Sequence, residues 1–162
     1  MRKCHQGFSL VELMVVCAII CILAGAAVPT IVSALPGYRL QRAARQLCTH
    51  LRQARSHAIK NNQKIWVRFD TAGRQYTVDT VGTFKLPAGI SFGHGKAKKP
   101  VGTKFPANGI SFRGNKVAFN PRGIISSNSG YVYLQNDELD TCAVGATTAG
   151  NIVLRCWHGA WR

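Results

Sequence analysis

An apolar run from Phe8 to about Val32 carries one charged residue, Glu12, and Arg2 and Lys3 stand just ahead of it. Nothing else in the chain constrains its fold so strongly. Phe8 to Val28 amounts to about 21 residues, roughly 30 Å of helix, which matches one bilayer crossing. A carboxylate near the start of such a helix is costly unless something pairs with it, so it is read as functional. The bland alternative is a side chain that snorkels to the headgroup layer. The run is too long for a secretory signal peptide, and the basic residues ahead of it favour a cytoplasmic N-terminus with the rest of the chain outside.

Beyond the run, Leu40, Ala44, Leu47, Leu51, Ala54 and Ala58 recur at three- and four-residue spacing, while Arg39, Arg42, Arg45, Arg52 and Arg55 fall opposite. This pattern predicts an amphipathic helix over about Tyr38 to Lys60, one face packed and the other a solvated arginine stripe. Pro29 and Pro36-Gly37 predict a kink or local unwinding where they interrupt the helical pattern. From Gln63 the period becomes two. Ile65, Val67 and Phe69 alternate with Trp66 and Arg68, and the turn signal Asp70-Thr71-Ala72-Gly73 predicts a hairpin with Gln75 to Asp79. Further strands are expected at Ile90–Phe92, Ile110–Phe112, Lys116–Phe119, Tyr131–Leu134 and Ile152–Cys156. A long helix followed by strands alone gives an α+β fold, the helix laid across an antiparallel sheet.

The segment Gly7-Phe8-Ser9-Leu10-Val11-Glu12-Leu13-Met14-Val15-Val16 resembles the class III signal of type IV pilins and type II secretion pseudopilins. The pattern Leu47, Leu51, Arg52, Ala54-Arg55-Ser56 and Ala58-Ile59, followed by the Ile65 to Phe69 strand, narrows the resemblance to the GspH/FimT group. The resemblance implies a pilin-like fold in three parts: a leader peptide over residues 1–7, a transmembrane and filament-core helix over 8–35, and a periplasmic domain over 36–162. It also implies that a prepilin peptidase cuts after Gly7 and methylates the new amine on Phe8, and that Glu12 neutralises the amine of a neighbouring subunit. The implied partners are other pilin or pseudopilin subunits, the peptidase, an inner-membrane assembly platform and the membrane itself. The subunit would sit in the inner membrane by one pass, then in a type IV pilus or a type II secretion pseudopilus.

The formal net charge of the 162 residues is +15, with 21 basic side chains against 6 acidic ones. Such a field suits an anionic partner such as nucleic acid, or serves as a solubilising surface. Some DNA-uptake members of the resembled group bind DNA through a C-terminal Gly-Arg-x-Arg motif. This chain keeps Gly159 and Arg162 but has Ala160 at the first arginine. Arg155, Trp157, Trp161 and Arg162 are therefore candidate DNA contacts, with both tryptophans open to a sheet-packing role instead. Lys96, Lys98 and Lys99 join the candidates on the basic loop Gly93 to Gly102, which otherwise reads as a solvated tip.

Of the six cysteines, Cys4 lies in the leader, Cys17 and Cys21 form with Gly25 either a small-residue packing ridge or simply two apolar thiols facing lipid, and Cys48 is a free, partly buried thiol on the second helix. Cys142 and Cys156 are the disulfide pair expected in an oxidising compartment, ahead of a metal site with His158 that lacks a fourth ligand. No phosphate loop, His-rich metal motif or nucleophile elbow occurs, so the chain reads as no enzyme, with no cofactor and no metal.

Overall fold

The computed structural model describes residues 9–126 and 128–162, and for residues 26–30 the backbone alone. Gly7, Phe8 and Cys4 therefore lie outside the described residues. Helix α1 runs Leu10–Lys60. The Ser9 carbonyl accepts the first helical bond, from the Leu13 amide at 3.1 Å, as a residue just ahead of a helix does. The expected unwinding at Pro36-Gly37 is not found, since the helix bounds pass through both residues, and through Pro29, without interruption. Pro36 removes one amide, so the Val32 carbonyl loses its helical donor. The chain divides into two compact units, residues 1–35 and residues 36–162.

In the first unit the described helical side chains are exposed, with Leu10, Val11, Leu13, Met14, Ile22 and Leu23 all at 60% or more. Among the described residues no helix is long and apolar enough to cross a membrane. The span expected from Phe8 to Val28 reaches beyond those residues at both ends, at Phe8 and at the side chains of 26–28.

The second unit holds the core. Leu40, Ala44, Leu47, Leu51, Ala54 and Ala58 are all buried to 2% exposure or less, which is the apolar face the spacing predicts. The helix ends in a left-handed cap. Asn62 has φ 50°, its amide bonds to the Ile59 carbonyl, and the Gln63 amide reaches back to Ala58 at 3.2 Å, the pairing that closes a helix with its last carbonyls satisfied.

Among the described residues eight strands follow: β1 Ile65–Asp70, β2 Gln75–Val78, β3 Gly82–Lys85, β4 Ile90–Phe92, β5 Lys116–Phe119, β6 Gly130–Asn136, β7 Thr141–Ala146 and β8 Ile152–Cys156. They form two antiparallel sheets rather than the expected one, in the orders β3-β2-β1-β5 and β4-β6-β7-β8. The predicted hairpin is β1–β2, with Asp70 opposite Gln75 and Asp70 Oδ1 accepting from the Gly73 amide at 3.0 Å. Strands β3 and β7 go beyond the sequence expectation. Ile110–Phe112, expected as a strand, contributes a single bridge, Ile110 to Val132, because Gly109 at φ 74° and the short 3-10 turn Arg113–Asn115 bend the chain on both sides. Side chains of α1, Val67 and Val78 of the first sheet, and Val132, Leu134 and Val144 of the second share one apolar cluster. Burying a side chain of the Val or Leu type contributes about 1.5–3 kcal/mol, so this shared face is what fastens helix and sheets together.

Candidate functional site

Glu12 lies in the first turn of α1, where the helix N-terminus favours an acid. Its helical neighbours Val11, Leu13 and Val16 are exposed apolar side chains, and among the described residues no basic group forms an ion pair with it. The helix thus presents a lone carboxylate on an uncovered apolar surface. Cys17 and Cys21 are free and exposed, and nothing approaches a side chain built at Gly25 within 4 Å.

At the other end of the chain, Cys142 and Cys156 form a disulfide between directly opposed residues of β7 and β8. That bond occupies both sulfurs of the metal alternative with His158. After Cys156 the chain folds back on itself: the Cys156 amide donates to the Arg162 carbonyl at 2.9 Å, and the Arg162 amide to the Cys156 carbonyl at 3.2 Å. Gly159, at φ 84°, makes the tip of this turn, a conformation glycine adopts without strain. The turn sets Trp157 against Trp161, edge to face with ring centroids 5.3 Å apart. Trp161 also lies 5.9 Å from the Tyr133 ring and donates its indole N–H to the Lys99 carbonyl at 2.6 Å.

The basic loop is therefore tied rather than a free tip. The Gly93 amide donates to the Tyr133 carbonyl at 3.0 Å and the Lys96 amide to the Leu139 carbonyl at 2.7 Å. The Gly95 amide donates to Gln135, and the Val101 amide to the Tyr133 hydroxyl. As a result Lys98, Lys99, Trp157 and Trp161 line one hollow of about 340 Å³. The other candidates lie elsewhere. Arg162 lines a separate hollow with Arg45 and His158, Arg155 is an exposed residue of β8, and Lys96 is exposed on the loop.

The arginine stripe is exposed at Arg39, Arg42, Arg45 and Arg52. Arg55 departs from the expected solvated role, because its Nε donates to the Gly123 carbonyl at 2.9 Å. Sequence reading also missed Trp66, over which the Lys64 and Lys116 amines lie 4.5 and 5.2 Å from the ring centroid. The antiparallel register that sets Trp66 opposite Ala118, and so beside Lys116's strand, would have been needed to find it. Three acids elsewhere are engaged locally: Asp79 pairs with Arg68, Asp70 holds its turn, and Asp140 meets Asn136. Burial pushes the Cys48 thiol up from its ordinary pKa, with Arg52 opposing the shift, so this thiol is not poised as a nucleophile.

Residues 43–155 match the family model of the type II transport protein GspH, and residues 2–28 match that of the prokaryotic N-terminal methylation motif. Among solved structures, the chain is similar to the minor pseudopilin EpsH from the type 2 secretion system of Vibrio cholerae, with TM-score 0.53 and 14% identity over 73% of this chain and 97% of that one. It is also similar to the type IV minor pilin FimU of Pseudomonas aeruginosa, with TM-score 0.54 and 14% identity over 76% of this chain and 92% of that one. No curated protein matches the chain. At this identity the structural likeness speaks for the fold. The family model, which takes in most of the buried helix face and of both sheets, speaks for descent: this chain belongs to the GspH family and has the build of a minor pilin or pseudopilin.

Proposed function

We propose that this subunit loses residues 1–7 to a prepilin peptidase, is methylated on Phe8, and enters a type IV pilus or type II secretion pseudopilus through the helix of residues 8–35. The observation that carries this reading is Glu12, an acid with no ion-pair partner among the described residues, in the first turn of a helix whose apolar neighbours are exposed. Cleavage after Gly7 creates a positive amine, and a neighbour's Glu12 neutralises it as the helices pack out of water. Before assembly the same helix holds the subunit in the inner membrane by a single pass, with residues 36–162 on the periplasmic side and an assembly platform as its partner. The role is structural rather than enzymatic. Glu12→Ala should be cleaved normally yet be missing from sheared filaments, as read by immunoblot. Normal incorporation of that variant would refute the ion-pair mechanism.

A second reading, that the subunit binds extracellular DNA during uptake, has one observation in its favour. Lys98 and Lys99 share a hollow with Trp157 and Trp161, and phosphate-holding cations beside aromatic rings are the pairing that single strands use. On this reading affinity falls steeply with salt as counterions are displaced. Lys98→Glu with Lys99→Glu should weaken binding more than reversal of Arg155 or Arg162. Salt-insensitive or absent binding leaves the filament role alone.

A further inference from the structure

Strand β8 is the outer strand of its sheet, and its register shows which backbone groups face outward. The Trp157 amide donates to Thr141 and the Thr147 amide to Asn151, so hydrogen-bonded pairs fall at Ala143 with Arg155 and Gly145 with Val153. Ile152, Leu154 and Cys156 then turn their amides and carbonyls away from β7. Cys156 spends both on Arg162. Among the described residues Ile152 and Leu154 have no partner on that side, which leaves four backbone groups in a row at an open edge.

Open edges of natural sheets are commonly blunted by charge or by a covering segment. Here the charge is of one sign. A hollow of about 500 Å³ beside Ile152 is lined by Arg52, Arg55 and Ser56 of α1. A second, of about 430 Å³ beside Leu154, is lined by Gln41, Arg45, His158 and Arg162. No acidic side chain lines either. Arg55 is committed to the Gly123 carbonyl, while Arg45 and Arg52 are exposed. Ile152 and Leu154 are half-buried against the core, so the floor between the two hollows is apolar.

We propose that this edge takes up an extended acidic segment of a partner protein as an added strand, its backbone pairing with Ile152 and Leu154 and its carboxylates meeting Arg52 and Arg45. The spacing suits it. Alternate residues of a strand recur about every 7 Å, and the seven positions from Arg45 to Arg52 rise about 10 Å along the helix, a difference that two long arginine side chains span. Main-chain bonds supply affinity in such strand addition, and the flanking side chains supply selectivity. This contact is separate from the helix packing proposed for filament entry, and it survives if that reading fails.

The test uses the full chain in detergent micelles with a short peptide of alternating Glu and Val. Hydrogen exchange at the Ile152 and Leu154 amides should slow on saturation. N-methylation of alternate peptide amides, or Arg45→Glu with Arg52→Glu, should each weaken binding by about tenfold or more, the scale of a lost pair of charge-assisted or backbone bonds. Both arginines are exposed, so the double variant keeps its fold. A Lys-Val peptide should not bind. Unchanged exchange at the two amides, equal binding of the N-methylated or Lys-Val peptide, or protection of those amides by duplex DNA in place of the peptide would each overturn the proposal.

Discussion

His50 on α1 and Tyr76 on β2 meet through a hydrogen bond of 2.8 Å between Nδ1 and the phenolic oxygen. The His50 ring also lies against Phe84 of β3, with centroids 3.9 Å apart. Helix and sheet are thus joined by a titratable group held in a largely apolar setting. Burial lowers the His50 pKa from its ordinary 6.5, and burial raises that of Tyr76, so burial favours the neutral form of each.

The first prediction follows from the sign of that shift. Because the folded His50 binds its proton less readily than the unfolded one, the unfolded chain carries more protons just below the ordinary imidazole pKa. Stability therefore rises with pH in that window. The contribution is complete above about pH 7, declines as pH falls through the ordinary value, and is lost below the folded one. Melting temperature should follow this course, and His50→Gln should flatten it. An unchanged slope in the variant assigns the dependence to another group.

The second prediction concerns Cys142 and Cys156, buried at 3% and 9% exposure and separated by 14 positions. Closing a loop of that length stabilises by roughly 3 kcal/mol in the chain-entropy model. Reduction, or a double change to Ala, should lower the urea midpoint and steepen the slope somewhat, because the unfolded chain freed of the crosslink exposes more surface. Exchange should quicken first at β8 and the Trp157 to Arg162 turn, which that bond pins to β7. An unmoved midpoint would mean that the strand pairing alone carries this end of the sheet.

The parts of the molecule that could be read in advance are those where one local period decides. Leu47, Leu51 and Ala58 repeat at helical spacing and are buried; Ile65, Val67 and Phe69 alternate and line the core. Strand β7 had no such signature, because Thr141 to Ala146 are buried on both faces and mostly small, so no polar residue marks an outer side. Strand β3 failed for the opposite reason: apart from the half-buried Phe84 it is exposed, and what holds it is its pairing with β2. The hollow at Trp161 was legible as a list of residues but not as a place. Its closing bond spans 62 positions, and local spacing carries no record of such a contact. The arginine stripe hid a similar case, since Arg55 looks like its neighbours until Gly123 is brought beneath it.

The third prediction takes up that indole. Trp161→Phe keeps a ring against Tyr133 and Trp157 but removes the N–H that the Lys99 carbonyl accepts. A single bond of this kind contributes about 1 kcal/mol net, so global stability should change little. The local effect should be larger. Exchange of the Lys96, Ala97 and Val101 amides, which are the hydrogen-bonded ones of the loop, should quicken in the variant, while β6 and β7 stay protected. If the loop is as slow as in the parent protein, the bonds from Lys96 and Val101 hold it without Trp161.

The last prediction concerns the clamp at Arg55. Its Nε donates to the carbonyl of Gly123, a buried residue at φ 74°, and Ile59 of the same helix packs over that glycine's α-carbon. A side chain at Gly150 would collide with the same Gly123 carbonyl, so helix α1, the segment after β5 and the turn before β8 converge on one oxygen. Arg55→Met keeps the alkyl packing but strips the donor, leaving a buried carbonyl unmatched at a cost of about 1–3 kcal/mol. Gly150→Ala should cost more than Gly123→Ala. Both carry positive φ, but at Gly150 the obstruction is backbone, whereas at Gly123 it is chiefly the end of the Ile59 side chain, 2.7 Å away, which can turn aside. Since Arg55→Met and Gly150→Ala disturb the same oxygen, their combined loss should fall short of the sum of the two. Additive losses in urea denaturation would mean that the helix and the β7–β8 turn are held independently, and that Arg55 is no clamp.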